Sequence, residues 1–127
     1  MDRESRQRLL VAVVDDDESV RESLPDLLWE SGYAARAFAS AKELLDSGDL
    51  VRFRCLILDI AMPGMSGPEL HQELRRRGRA IPVVFITATG DETVRPRLLA
   101  QGAVDCLFKP FSESALLQAL KTALRVA

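Results

Sequence analysis

The sequence predicts an α/β fold, a doubly wound parallel sheet of five strands with helices on both faces. Five short apolar runs alternate along the chain with longer segments that have helical spacing. The runs are mostly apolar throughout, as in strands that are covered on both faces. Strands that alternate with helices are joined by right-handed crossovers, which make neighbouring strands parallel. Ligands of such sheets bind at the carboxyl ends of the strands, so functional residues are expected there.

The five apolar runs differ in strength. Four are clear strand candidates, residues 9–14, 55–58, 83–86 and 104–108, and residues 34–38 form a weaker one. Strands of this length, bounded by polar and turn residues, are typical of a buried parallel sheet.

The first three helical segments carry start and stop signals. In the first, Val20, Leu24 and Leu28 share one face, and Gly32 is a stop signal. Pro25 inside this segment predicts a kink or a loosened first turn. The other two open with the capping boxes Ser40/Glu43 and Ser66/Glu69, and Pro68 stands in a first turn where a missing N–H costs little.

The last two helical segments are unequal. Arg95 precedes a proline and is biased away from helix, so the fourth helix is predicted to be short and to begin at Pro96. The fifth runs from Ser112 to about Arg125, with leucines set among alanines.

Length and composition indicate one globular domain, residues 1–127. A chain of 127 residues with 47% hydrophobic and 28% charged residues can build a core without disulfide bonds or bound metal ions. The longest aliphatic run, residues 9–14, is too short for a transmembrane helix and is not a signal peptide. The net charge of −2 gives no reason to expect nucleic-acid or membrane binding. Cys55 and Cys106 stand in apolar runs, which favours reduced thiols and a cytoplasmic setting.

Polar residues follow four of the five predicted strands. Asp15, Asp16 and Asp17 follow the first strand, Asp59 the third, Thr87 the fourth and Lys109 the fifth. If the strands are parallel neighbours, all of these residues lie at the same edge of the sheet. Any one of them alone is most simply a cap or a turn residue. Their agreement across four strands favours a site.

The chemistry of this set indicates phosphoryl transfer onto an aspartate. Clustered carboxylates repel unless one is protonated or a cation lies among them, and an all-oxygen set favours Mg²⁺. A lysine and a hydroxyl beside a metal suit a phosphoryl group. An ionised carboxylate needs no general base, and none is expected there, because the one histidine, His71, falls in the third helix, where we predict a surface position.

Four stretches together resemble the receiver domain of two-component response regulators, which has the CheY-like, flavodoxin-like (βα)₅ fold. They are VVDDDESVRESL, LILDIAMPGMSGPEL, VVFITATGD and GAVDCLFKPF, in the order and spacing of that family, and nearly the whole chain is covered. GAVD and FITATGD are most similar to the FixJ-like subset. The resemblance implies the strand order 2-1-3-4-5.

The resemblance also implies a role for each site residue. Asp59 is the phosphoacceptor, and Lys109 and Thr87 contact the phosphoryl group. Asp16 binds Mg²⁺ directly, Asp15 directly or through water, and Asp59 and the backbone carbonyl of Ala61 complete the metal site. Asp17 falls outside this set and is expected to be a cap or a solvated residue. The Lys109–Pro110 bond is expected to be cis.

The resemblance has one departure, at the switch position. Family members usually carry Tyr or Phe where this chain has Cys106, and that aromatic changes rotamer together with the threonine. Because Cys106 cannot fill that volume, we hypothesise that residues 88–95 and the short fourth helix respond instead. Two further positions near the site, Ala61 and Thr89, tune phosphoryl lifetime in the family.

Three functions remain open at this point. The first is a phosphorylation-dependent switch that accepts a phosphoryl group from a phosphohistidine of a sensor histidine kinase, and slowly hydrolyses it, without being an enzyme for small substrates. The second is an aspartate-nucleophile phosphatase of the haloacid dehalogenase type, which needs an aspartate where this chain has Ala61. The third is a receiver-like domain that only binds proteins.

The output of a switch is also open. The chain ends just after the fifth helix, as expected either for a stand-alone switch or for the receiver of a transcriptional regulator whose DNA-binding domain lies elsewhere. FixJ-like resemblance slightly favours the second. The resemblance implies a dimer or partner face formed by the fourth helix, fifth strand and fifth helix. The four arginines 75, 76, 77 and 79 are more simply a cationic helix end than a nucleic-acid contact.

Overall fold

The computed structural model describes residues 8–126, without the side chain of residue 126. Over this range five β-strands alternate with five α-helices. The strands are β1 (Leu10–Val14), β2 (Ala34–Phe38), β3 (Cys55–Asp59), β4 (Val83–Thr87) and β5 (Asp105–Phe108). The helices are α1 (Glu18–Glu30), α2 (Ala41–Asp46), α3 (Gly67–Arg76), α4 (Val94–Ala100) and α5 (Glu113–Val126). A single 3₁₀ turn, Leu50–Arg52, was not predicted.

All five strands form one parallel sheet. Their order is β2-β1-β3-β4-β5, and each pair of neighbours is parallel. The predicted fold class and strand order are therefore confirmed. Because β1 has β2 on one side and β3 on the other, the chain changes direction across the sheet at β1, which is where ligands bind in folds of this type.

The core has two parts, one on each face of the sheet. Alternate residues of a strand point to opposite faces, so β4 gives Phe85 to one cluster and Ile86 to the other. Helices α2, α3 and α4 cover the Phe85 face, and α1 and α5 cover the Ile86 face. Phe85 is fully buried, whereas Phe108 is only partly buried because β5 lies at the edge of the sheet.

Helix α1 is a continuous helix despite its internal proline. Asp17 is its N-cap and accepts a hydrogen bond from the amide of Ser19. Gly32 follows the helix with a φ of +101°, as expected for a stop glycine. Pro25 lies inside the helix, which nevertheless runs from Glu18 to Glu30.

Helix α4 begins earlier than predicted. It starts at Val94, so Pro96 occupies the third position rather than the first. The prediction of a start at Pro96 was wrong because a proline in the first turn removes an N–H that has no partner within the helix. The guanidinium of Arg95 also pairs with Asp105 at 2.8 Å, which holds the residue before the proline in the helix.

The two predicted capping boxes differ. Around α3 the box is complete, because the Ser66 hydroxyl accepts from the Glu69 amide and the Glu69 carboxylate accepts from the Ser66 amide. At α2, Ser40 caps the helix in the same way, but the Glu43 carboxylate accepts from the amide of Ala39. At α2 the bond from the glutamate therefore goes to the residue before the N-cap and not to the N-cap itself.

His71 is buried, and the prediction of a surface position was wrong. Its ring meets the Phe85 ring edge to face, with centroids 5.9 Å apart. Leu70 and Leu74 define the buried stripe of α3, and His71 adjoins it. Burial, and to a smaller extent the charge of Arg75, lower the pKa of His71 below its usual 6.5.

The histidine should make the fold sensitive to acid. Because its pKa is lower in the folded protein, the unfolded chain binds more protons at this residue, and the contribution of His71 to the free energy of unfolding should fall as the pH drops below about 6.5. In His71→Leu this component disappears, so stability should fall less between pH 7 and pH 5 than in the wild type. Urea unfolding of both proteins across this range measures the difference, since acidic groups common to both cancel. Equal pH slopes would contradict the prediction.

Among residues 8–126, no helix is both long enough and apolar enough to cross a membrane.

Candidate functional site

The residues that follow the strands meet at the carboxyl edge of the sheet. Asp59 and Thr87 are the last residues of β3 and β4, and Asp15 and Lys109 come directly after β1 and β5. Parallel strands end at the same edge, which brings residues from distant parts of the sequence together. The convergence expected from the sequence is therefore present in the fold.

Three carboxylates form the centre of this site. One oxygen each from Asp15, Asp16 and Asp59 lies within 4.8 Å of the others. Asp15 and Asp59 are buried, while Asp16 is exposed, so the group opens to solvent on the Asp16 side. We call these three residues the acidic trio.

Lys109 balances part of this negative charge. Its Nζ lies 2.9 Å from Oδ2 of Asp15 and 4.0 Å from Oδ1 of Asp59. Burial lowers the pKa of Lys109, but the hydrogen bond and charge of Asp15, with the charge of Asp59, outweigh burial and raise it. The ammonium therefore stays charged beside the trio. The Lys109–Pro110 bond is cis, as expected.

Asp59 is the carboxylate that its surroundings affect most. Burial, followed by the charge of Asp15, raises its pKa to about 7, against the opposing effect of Lys109; Asp16 adds to the increase. Without a cation, Asp59 therefore holds a proton more readily than an isolated carboxyl group, as expected of clustered carboxylates that have no cation among them. A cation among the three carboxylates would offset their repulsion and favour the ionised form.

Backbone and side-chain donors outside the trio hold Asp15 in place. The amide of Asp17 donates to Oδ1 of Asp15 at 2.9 Å, and the Arg21 guanidinium donates to the Asp15 carbonyl at 3.1 Å. Asp17 lies outside the trio, as expected, and caps α1. The contribution of Arg21 was not predicted, because a surface arginine in the first turns of a helix carries no sign of its partner.

The other predicted site residues lie at the end of β4, in the loops after β3 and β4, and in β5. Thr87 is buried, and its Oγ1 accepts a hydrogen bond from the Thr89 amide at 3.2 Å. Ala61 and Thr89 are exposed in the loops after β3 and β4. Cys106 is buried in β5 and packs in the same cluster as Phe85 and Leu98.

Gly67 supports the site and was not singled out from the sequence. Its amide donates to the Ile60 carbonyl at 3.0 Å, and a Cβ at this position would lie 2.1 Å from the Asp59 carbonyl oxygen. The first residue of α3 thus touches the backbone of Asp59. A glycine after an N-cap serine gives no hint of this contact in the sequence.

The donor set fits a hard divalent cation. It consists of carboxylate oxygens, with no histidine or cysteine in the trio. Mg²⁺ prefers such oxygen ligands and keeps several waters, which the exposed side at Asp16 can admit. The trio therefore suits Mg²⁺ better than zinc.

Comparison with known proteins gives a consistent result. Residues 11–121 match the family described as response regulator receiver domain. The chain is 41% identical over 118 residues to the transcriptional regulatory protein FixJ of Azorhizobium caulinodans, which covers 93% of this chain and 56% of FixJ. It is 42% identical over 120 residues to nodulation protein W of Bradyrhizobium diazoefficiens, covering 94% of this chain and 53% of that protein.

Solved structures show the same similarity. The structure titled FIXJ-N is 34% identical, with a TM-score of 0.84, and the match covers 95% of this chain and 97% of that one. The response regulator StyR is 44% identical, with a TM-score of 0.85, and the match covers 92% of this chain and 59% of StyR. The chain spans about half the length of the curated relatives it matches.

Proposed function

The chain belongs to the receiver domain family of two-component response regulators, and on this premise we propose that it is a phosphorylation-dependent switch with Asp59 as phosphoacceptor. The observation that carries the proposal is the acidic trio with a lysine beside it, open to solvent at the edge of the sheet. In this proposal the 127 residues act as one receiver domain.

The metal in this proposal is Mg²⁺. Asp15, Asp16 and Asp59 would hold it, with the backbone carbonyl of Ala61 as a further ligand. When bound, Mg²⁺ supplies positive charge that neutralises phosphoryl oxygens and keeps Asp59 ionised. The buried position of Asp15, fixed by the Asp17 amide, provides one ligand whose orientation is already set.

The proposed reaction moves a phosphoryl group onto Asp59. A carboxylate oxygen of Asp59 attacks the phosphorus of a phosphohistidine, the P–N bond breaks with its electron pair going to the imidazole nitrogen, and an aspartyl phosphate forms. The ammonium of Lys109, 4.0 Å from Asp59, is placed to bind a phosphoryl oxygen. The hydroxyl of Thr87 donates to another. Slow attack of water on the same phosphorus returns Asp59 and phosphate.

Two other functions fit the site less well. An aspartate-nucleophile phosphatase of the haloacid dehalogenase type needs a second aspartate as general acid two residues after the nucleophile, and Ala61 occupies that position. A domain that only binds proteins gives no reason to bury two carboxylates beside a lysine, because such burial costs free energy.

The partners are proposed from the family and the relatives. The phosphodonor is a sensor histidine kinase, and the output is transcription regulation, since FixJ is a transcriptional regulatory protein. The DNA-binding part would lie outside these residues, and this domain would not itself bind nucleic acid or membrane. A homodimer face would be formed by α4, β5 and α5.

Incubation with acetyl phosphate and Mg²⁺, followed by intact mass measurement, separates the three functions. The switch acquires a single phosphoryl group that is lost on standing and that EDTA prevents from forming. A phosphatase instead releases phosphate with many turnovers and shows no lasting adduct. A domain that only binds proteins shows neither, which would contradict the proposal.

A further inference from the structure

A cavity of about 270 Å³ lies at the amino edge of the sheet, opposite the acidic trio. Ile81 and Pro82 line it from the loop before β4, and Gly102 and Val104 line it from the turn between α4 and β5. His71 of α3 closes it on the side of the core. Small-molecule sites have volumes from about 300 to 1,000 Å³, so this cavity suits a ligand at the small end of that range.

His71 is the buried polar group of the cavity. The residue is 5% exposed, and its ring meets the Phe85 ring edge to face. Within residues 8–126, no hydrogen bond from another residue reaches either ring nitrogen. A neutral imidazole has one N–H to donate and one nitrogen that accepts. Because buried polar groups normally have partners, a ligand in the cavity would supply the one that the protein does not.

Arg75 brings a positive charge to the same point. A methyl group on Gly102 would lie 2.7 Å from Nη1 of Arg75 and 3.8 Å from Cε1 of His71, the carbon between the two ring nitrogens. The guanidinium and the imidazole therefore meet beside Gly102, where the lack of a side chain leaves space. Arg75 donates to the Gln101 carbonyl and, within the described range, pairs with no carboxylate. A guanidinium has five N–H donors, so most of them are free for a ligand.

The lining of the cavity selects the class of ligand. Among the described residues that line it, Arg75 and His71 are the polar side chains, and no carboxylate is present to repel an anion. Two N–H-bearing groups side by side match the two oxygens of a carboxylate. The other walls are apolar, which disfavours inorganic phosphate, because all of its oxygens need polar partners.

We propose that this cavity binds a small organic carboxylate. The guanidinium of Arg75 and the N–H of His71 hold its two oxygens, and Ile81, Pro82 and Val104 contact its apolar part. The proposal is independent of phosphorylation, because the cavity and Asp59 lie at opposite edges of the sheet. A ligand held there joins the end of α3 to the turn between α4 and β5, and so gives the domain a second, non-covalent input.

Titration of the whole chain with benzoate, followed by NMR, tests the proposal. The chain has one histidine, so the proton on Cε1 of His71 gives a single identifiable signal. That signal and the amide signals of Gly102 and Val104 should shift and saturate with a Kd of about 1–10 mM, as expected for so small a ligand. The amide signals of Asp16 and Thr87, at the other edge, should not move. Benzamide, which has the same ring without the charge, should bind at least about tenfold more weakly.

Arg75→Gln removes the charge from the cavity and should weaken benzoate binding at least about tenfold. The side chain is exposed, so the variant should keep its fold. Arg79→Gln is the matched control, because Arg79 is also an exposed arginine after α3 but does not line the cavity; its Kd should change less than about twofold.

Several outcomes would overturn the proposal. One is the absence of saturable shifts up to about 50 mM benzoate. Equal weakening in Arg75→Gln and Arg79→Gln would show general attraction to the basic end of α3 and no site. Benzamide binding as tightly as benzoate would exclude a carboxylate site, and inorganic phosphate binding more tightly than benzoate would exclude a role for the apolar walls.

Discussion

Asp59→Asn should abolish the phosphoryl adduct and at the same time stabilise the metal-free protein. Asparagine offers no ionised oxygen to attack phosphorus, so no adduct should appear with acetyl phosphate and Mg²⁺. The substitution also removes one of three crowded carboxylates, the one whose pKa the site raises to about 7. Losing a function while gaining stability is typical of a residue that the site keeps under strain.

The pH dependence of this stability has a definite sign. The folded protein binds a proton at Asp59 more readily than the unfolded chain, whose carboxyl has a pKa near 3.8, so the contribution of Asp59 to wild-type stability falls as the pH rises from about 4 to about 7. The asparagine side chain of the variant does not titrate, and this decline should be missing. At pH 8 in EDTA we expect the variant to be more stable by about 1–2 kcal/mol, with no such gain at pH 4.

Intact mass and urea unfolding measure the two effects. Asp17→Asn is the matched control, because Asp17 lies next to the trio in sequence but caps α1, and asparagine caps a helix equally well. The control should form the adduct as the wild type does. An adduct on the Asp59→Asn variant would show that phosphorus goes to another residue, and would contradict the proposed role of Asp59.

The sheet could be predicted from the sequence because its strands are mostly continuous apolar runs. The weakest candidate, residues 34–38, has the predicted bounds. The meeting of Asp15, Asp59 and Lys109 could also be predicted, since it follows from parallel strands ending at one edge. Both predictions rest on regular features, the apolar runs of the strands and the common direction of parallel strands.

What could not be predicted depends on packing between distant elements. The buried position of His71 is set by the Phe85 ring of β4, which helix periodicity does not reveal. The sequence did not indicate that Lys109 bonds to Asp15 at 2.9 Å and lies farther from Asp59, because side-chain rotamers decide it. The pKa of Asp59 likewise depends on burial and on the exact positions of its neighbours.

Gly67→Ala should destabilise the fold by about 3 kcal/mol and impair the site. The added Cβ would lie 2.1 Å from the Asp59 carbonyl oxygen and 3.1 Å from Cε1 of Phe85. Neither neighbour can move easily, since one is strand backbone and the other a buried ring. The loss of stability should therefore lie at the upper end of the range for added methyl groups in a packed core. The first turn of α3 or the end of β3 must shift.

The site should be impaired beyond what lower stability explains. Because the clash is with the backbone of Asp59 itself, its relief displaces the carboxylate relative to Asp15 and Lys109. We therefore expect phosphorylation by acetyl phosphate to slow by at least about tenfold at a temperature where the variant is fully folded. Urea unfolding and the initial rate of adduct formation are the two measurements.

Gly90→Ala is the matched control for this substitution. A Cβ at Gly90 meets nothing within 4 Å, and the backbone there does not have the positive φ that disfavours alanine. Its stability should stay within about 0.5 kcal/mol of the wild type. If Gly67→Ala were as stable as this control, the contact between α3 and Asp59 could not be what fixes the end of β3. If it were unstable but phosphorylated at the normal rate, Gly67 would serve the fold alone, because the site would have recovered its geometry after the shift.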